Sequence, residues 1–134
     1  MDFSHINWLA AITAAILNFL LGGIWYSNIL FGKSWIQDNG LTKEQLENRK
    51  PGKIFGFAAL FFILMAVNLA IFLSGPKIDV TWGAQAGFLA GIWTFSAIAV
   101  HSLFELKSWR LILINGGFSV ISLTLMGAII GVWR

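Results

Sequence analysis

Residues Thr81 to Leu103 read TWGAQAGFLAGIWTFSAIAVHSL, a run without a single lysine, arginine, aspartate or glutamate. A helix needs about 20 mostly apolar residues to cross the hydrocarbon core of a bilayer, at a rise of roughly 1.5 Å per residue. This stretch meets that length, and three others do so without a deep charge: Ile6 to Leu30, Ile54 to Leu73 and Trp109 to Val132. The whole chain of 134 residues is 57% hydrophobic and 11% charged, with a mean hydropathy of +0.78. Soluble domains are roughly half apolar and a quarter charged, so this surface needs lipid to cover it. The predicted fold is all-α, a four-transmembrane-helix antiparallel bundle forming one integral membrane domain over residues 1–134. Met1 to His5 lacks the basic start of a signal peptide and the first apolar run is too long for a signal core, so that run is expected to stay as the first span.

The net charge of +3 is distributed as a topology signal rather than as a nucleic-acid surface. Lys33, Lys43, Arg49, Lys50 and Lys53 lie in the loop Gly32 to Lys53, and Lys107 and Arg110 flank the fourth span, whereas only Lys77 and Arg134 fall on the other side. The positive-inside rule therefore predicts a cytoplasmic loop and both termini outside. Tryptophans favour the membrane interface, and Trp8, Trp82 and Trp133 fall at outer ends while Trp25, Trp35 and Trp109 fall at inner ones. Trp93, at the middle of the third span, does not fit. Within the loop, Thr42 and Gln45 have capping-box spacing, and the pattern predicts a short cytoplasmic surface helix from Thr42 to Arg49, ended by Pro51 and Gly52.

There are no cysteines, which excludes disulfides and thiol chemistry, and two distant histidines leave no basis for a metal centre or a cofactor. The polar residues that remain are placed by helical stepping. Gly83, Gly87, Gly91, Thr94, His101 and Glu105 fall in one stripe of the third span, which is expected to face the bundle interior. Ala11, Ala14, Asn18, Gly22 and Trp25 share a face of the first span, and Ser108, Asn115, Ser119 and Ser122 share one of the fourth. An unbonded amide in hydrocarbon is costly, so Asn18, Asn68 and Asn115 are expected to meet partners across helices. His101 and Glu105 stand i to i+4 and are expected to converge with Asn115 near the cytoplasmic surface. On the side of the fourth span away from its polar face, Gly117, Thr124, Gly127 and Gly131 form a small-residue stripe, which predicts a homodimer through that helix.

The opening Ile6-Asn7-Trp8-Leu9-Ala10, the stretch Gly22-Gly23-Ile24-Trp25-Tyr26-Ser27 and the elbow Phe31-Gly32-Lys33-Ser34-Trp35 resemble the bacterial family called domain of unknown function 1761. Leu103-Phe104-Glu105 and Met126-Gly127-Ala128-Ile129 extend the likeness over nearly the whole chain. The resemblance implies a small bacterial inner-membrane protein and brings no activity with it.

The function these features favour is a non-enzymatic, self-associating bundle in the lipid bilayer that binds or conducts a small solute. Ligand candidates are Asn18, Trp25, Tyr26, Ser27, Lys33, Asn115 and Ser119. A second class is an intramembrane lipid-modifying enzyme with His101 as general base and Glu105 orienting it. A third is an accessory subunit whose partner is another membrane protein.

Overall fold

The computed structural model describes residues 3–133. A single 3-10 turn, Phe3–His5, precedes six helices: α1 Trp8–Trp25, α2 Gly32–Asn39, α3 Lys43–Asn48, α4 Pro51–Phe72, α5 Val80–Phe104 and α6 Trp109–Val132. α1, α4, α5 and α6 are long and apolar enough to cross a membrane. Together they make an all-α antiparallel bundle.

The bundle is not square. α6 occupies its centre, with half of its apolar window buried inside the protein against 17% for α4 and for α5. α1 packs on α4 and on α6, α2 rests on α6, and α5 packs chiefly against α6. One side of α6 presents Ser119 and Ser122, both buried as the polar face predicted. The other side meets α5 through glycine: Gly83 lies opposite Gly127, Gly87 opposite Leu123, and Gly91 opposite Val120. A Cβ on Gly83 would strike the Gly127 carbonyl, and one on Gly127 would strike the Gly83 carbonyl. The helices touch backbone to backbone, the arrangement small residues permit in lipid, where packing drives association.

This central position corrects the outward-facing stripe. Gly127 is buried against Gly83 and Gly87, Gly131 is buried against Asp79 and Val80, Thr124 lies beside Gly87, and Gly117 faces the Trp25 ring. The expectation assumed that each helix keeps one face for lipid, whereas a central helix uses both. In the predicted homodimer contact Gly127 and Gly131 therefore have no free surface, and Gly117 and Thr124 are only partly exposed.

The interior stripe of α5 begins as expected, with Gly83, Gly87 and Gly91 all buried, but ends on Ser102 rather than on His101. Contact along an i to i+4 ridge is inclined to the helix axis and gains about 0.4 residue per turn on a straight 3.6-residue line, about two residues over five turns, which carries the inward position past His101. His101 and Glu105 are left exposed, with no side-chain hydrogen bond or ion pair between them, and Asn115 lies elsewhere. Their predicted convergence does not occur.

Two local departures matter for the site. The first span was expected to run to Leu30, but α1 stops at Trp25. The Ser27 hydroxyl donates to Ile24 O (2.7 Å) and accepts from Ile29 N (3.2 Å), local bonding that competes with the helix. Gly32 N then returns to Ser27 O (2.9 Å), and no side chain fits at Gly32 because its Cβ would meet the Tyr26 and Ser27 backbone. That elbow launches α2, a helix the sequence pattern did not reveal, and Gly40 ends it in the left-handed conformation (φ 64°). α3 forms as predicted: Gln45 N donates to Thr42 Oγ1 (3.1 Å) and Thr42 N donates to Gln45 Oε1 (2.8 Å).

Asn68 also differs from expectation. Its amide nitrogen donates to Leu64 O of its own helix (2.8 Å) instead of crossing to another.

Candidate functional site

At the basic end of the bundle a cavity of about 370 Å³ opens between α1 and α4. Its walls come from five segments, and each is placed by a sequence feature already described. α1 contributes Phe19 and the two side-chain-free positions Gly22 and Gly23. Because α1 stops at Trp25, Tyr26 emerges just beyond its end, and the elbow folds α2 back so that Trp35 packs edge-on against it (centroids 5.8 Å, 71°). α4 adds Phe55, Ala58 and Phe62, and the central helix supplies Phe118. These rings form a connected edge-to-face set, Tyr26 to Phe118 at 5.6 Å, Phe118 to Phe62 at 6.1 Å, Phe62 to Phe19 at 6.3 Å and Phe19 to Phe55 at 6.0 Å. Aromatic pairs in this geometry contribute about 0.5–1.5 kcal/mol beyond area burial, so the lining is held in shape before any ligand arrives.

Arg49 stands at the cavity mouth. Residue 49 and Lys50 are extended (φ −65°, ψ 152° and φ −101°, ψ 95°), and Pro51 starts α4 at its first turn. Proline holds the residue before it out of the helical region, so the guanidinium is delivered beside the first turn of α4 rather than continuing α3. Arg49 is exposed and forms no ion pair among the described residues. The geometry presents an apolar, aromatic chamber with a cation at its rim that no described residue neutralises.

The sequence candidates are distributed around this chamber. Tyr26 lines it, and its hydroxyl donates to Asn115 Oδ1 (2.8 Å), so Asn115 serves as the anchor behind the wall. Trp25 points the other way, donating from its indole nitrogen to Ile114 O (3.0 Å). Ser27 shapes the elbow, Ser119 bonds back to Asn115 O of its own helix (3.3 Å), and Lys33 is exposed on α2, outside the chamber lining. Arg49, Trp35, Phe55, Phe62 and Phe118 are not among the ligand candidates read from the sequence. The signals that carry them are Arg49 and Lys50 directly before a helix-starting proline, and aromatics seven residues apart on α4.

Asn18 is fully buried one turn beyond Gly22, and its amide nitrogen has no hydrogen-bond partner among the described residues. An unsatisfied buried donor costs about 1–3 kcal/mol. Asn18→Leu, close in volume, is expected to leave stability unchanged or raise it by up to about 2 kcal/mol in detergent thermal unfolding. A clear loss of stability would show that the amide is satisfied in the working protein.

A second cavity, about 400 Å³, lies on the Trp25 side and includes Phe31, Ser34, Arg110 and Gly117. Its cation is already neutralised. Arg110 Nε donates to Asp38 Oδ2 (2.8 Å), Arg110 Nη2 reaches Asp38 Oδ1, and the Ser108 hydroxyl donates to Asp38 Oδ2 (2.7 Å), clamping α2 onto the start of α6. The hydrogen bond from Arg110, with help from Ser108, holds the Asp38 carboxyl down from 3.8 to about 2. The folded value lies below the unfolded one, so the clamp contributes fully above pH 3.8 and is lost as pH falls toward 2. Hydrogen exchange of Gly32–Asn39 should stay flat above pH 4, after correction for intrinsic rates, and rise only below it. A rise near neutral pH would contradict the assignment.

No group of three His, Asp or Glu side chains among the described residues is arranged to hold a metal ion. A family model described as "Protein of unknown function (DUF1761)" matches residues 9–131. No curated protein and no solved structure matches the chain.

Proposed function

The chain belongs to the DUF1761 family of proteins of unknown function, and on that premise we propose that it is a membrane protein that binds an amphiphile with one anionic head and an apolar tail. The observation that carries this reading is Arg49, unpaired among the described residues, at the mouth of the aromatic chamber between α1 and α4. The volume falls within the roughly 300–1,000 Å³ of small-molecule sites, whose usual build is apolar walls with few polar groups. The head would sit at Arg49 and the tail among Phe19, Phe55, Phe62 and Phe118. Binding needs no nucleophile and no acid–base pair, and the exposed, unlinked His101 and Glu105 give the enzyme reading no support.

The basic end, with seven lysines and arginines against two at the other, is proposed to face the cytoplasm of a bacterial inner membrane with both termini outside. Arg49 then lies at headgroup level, where an anionic head group is found, whether it belongs to a phospholipid or to a free fatty acid.

Native mass spectrometry of the purified protein with added phosphatidylglycerol, phosphatidylcholine or palmitate tests the proposal. One anionic amphiphile per chain should be retained in preference to the zwitterionic one, and phosphatidylglycerol against palmitate identifies the source. Ala58→Trp, which fills the chamber from a partly exposed position on α4, should abolish retention without unfolding the protein. Equal retention of all three lipids, or retention unchanged in Ala58→Trp, would contradict it.

A further inference from the structure

α5 touches the rest of the protein along its glycine side, and the opposite side is left open. At 100° per residue, Gln85, Leu89, Trp93 and Ser96 fall within about 80° of one another on that open side. All four are exposed. Among the described residues Gln85 makes no side-chain hydrogen bond, and neither does the indole of Trp93, which is 84% exposed. From the start of α5, Gln85 is about 8 Å along the helix and Trp93 about 20 Å, within a hydrocarbon core about 30 Å thick. Ser96 donates to Ile92 O (2.8 Å) and keeps its acceptor sites free.

α4 supplies the contrast. Its open side carries Phe57, Leu60, Phe61 and Leu64, and its one amide, Asn68, gives one N–H to Leu64 O of its own helix. Acyl chains can cover those rings and leucines without loss. They cannot bond to a free amide or indole, each of which costs free energy in hydrocarbon until it meets a partner.

We propose that this face of α5 is the contact between two copies of the chain, related by a two-fold axis along the membrane normal. The charge bias between the two ends gives every copy the same orientation, so such an axis sets each residue opposite its own counterpart at equal depth. A primary amide both donates and accepts, and the Gln85 side chains of two copies satisfy one another. The Trp93 indole can donate to the free lone pairs of the Ser96 hydroxyl across the same contact. Self-complementarity of this kind selects a second copy as the occupant, because acyl chains answer neither group. The proposal is independent of the amphiphile site, which lies on α1 and α4.

The chain has no cysteine, so single cysteines report the contact directly in full-length protein reconstituted in bilayers. Leu89→Cys and Ser96→Cys should form disulfide dimers under a membrane-permeant oxidant, while Leu64→Cys on α4 should remain monomeric. Gln85→Leu should weaken association by about threefold to about twentyfold, the range measured for hydrogen bonds between membrane helices. Its fold is checked by unchanged thermal unfolding of the monomer in detergent. A chain that is monomeric in bilayers, one found only with a different membrane protein, one that cross-links through Leu64 and not Leu89, or one whose association Gln85→Leu leaves unchanged would overturn the proposal.

Discussion

Gly87→Ile is expected to destroy the packing of α5, whereas Gly56→Ile is expected to leave the protein as stable as before. A Cβ at Gly87 would collide with the backbone of Leu123 and approach Thr124 Cα inside normal contact, and the rest of the isoleucine side chain has no route around them. Side-chain overpacking typically costs about 1–3 kcal/mol because neighbours adjust. Here the obstacle is main chain, which cannot rotate away, so about 3 kcal/mol or more is expected. α6 is the principal partner of α5, and separation of the pair leaves α5 with little else to hold it. Gly56 has nothing within 4 Å of its Cβ position, and replacing a helical glycine there removes an unfavourable residue. Gly127→Ile should behave like Gly87→Ile, losing the fold rather than only an assembly contact. Unfolding midpoints of the variants in mixed detergent separate the cases, and equal midpoints for Gly56→Ile and Gly87→Ile would contradict the described α5–α6 contact.

Arg49→Glu should lower affinity for an anionic amphiphile by about thirtyfold. A basic residue close to an anionic lipid surface contributes about 1 kcal/mol, so reversal of its sign changes the balance by about 2 kcal/mol. No acidic partner among the described residues holds Arg49, and the substitution breaks no ion pair among them. The effect should shrink as salt rises, since exposed charges are screened beyond about 8 Å at physiological ionic strength. Reversal at Arg110 is the informative comparison. It disrupts the Asp38 clamp and should be read in stability rather than in amphiphile affinity. Equal loss of binding from the two reversals would assign the effect to general surface charge.

The helical architecture was legible because each span satisfies a length requirement that single residues do not alter. The α3 cap was legible because Thr42 and Gln45 act within one turn, and Ser119 and Ser122 were legible as interior because hydroxyls and amides cluster on one face of α6. The central place of α6 was not legible. Both of its faces look like helix-contact surfaces in the sequence, one polar and one glycine-rich, and only the packing assigns the second to α5. The elbow after Trp25 was hidden by the apolar Ile29, Leu30 and Phe31, which prolong the hydropathy of the first span past the end of the helix. His101 was misplaced because stepping at 3.6 residues ignores the inclination of a contact line along four-residue ridges. The chamber was only half visible, since Tyr26 stood out as a polar aromatic but Phe19, Phe55, Phe62 and Phe118 are ordinary hydrophobic residues until three helices bring them together.

The most direct test of the amphiphile site is the position at which a photoreactive anionic lipid attaches. Reconstituted protein is irradiated with phosphatidylglycerol or palmitate carrying a diazirine in its acyl chain, and the labelled peptides are mapped. Adducts are expected to concentrate on Phe19, Tyr26, Phe55, Ala58 and Phe62, to be suppressed by excess unlabelled anionic lipid and to be lost in Ala58→Trp. Adducts spread evenly over the exposed faces of α4 and α5, with no suppression by competitor, would contradict the site.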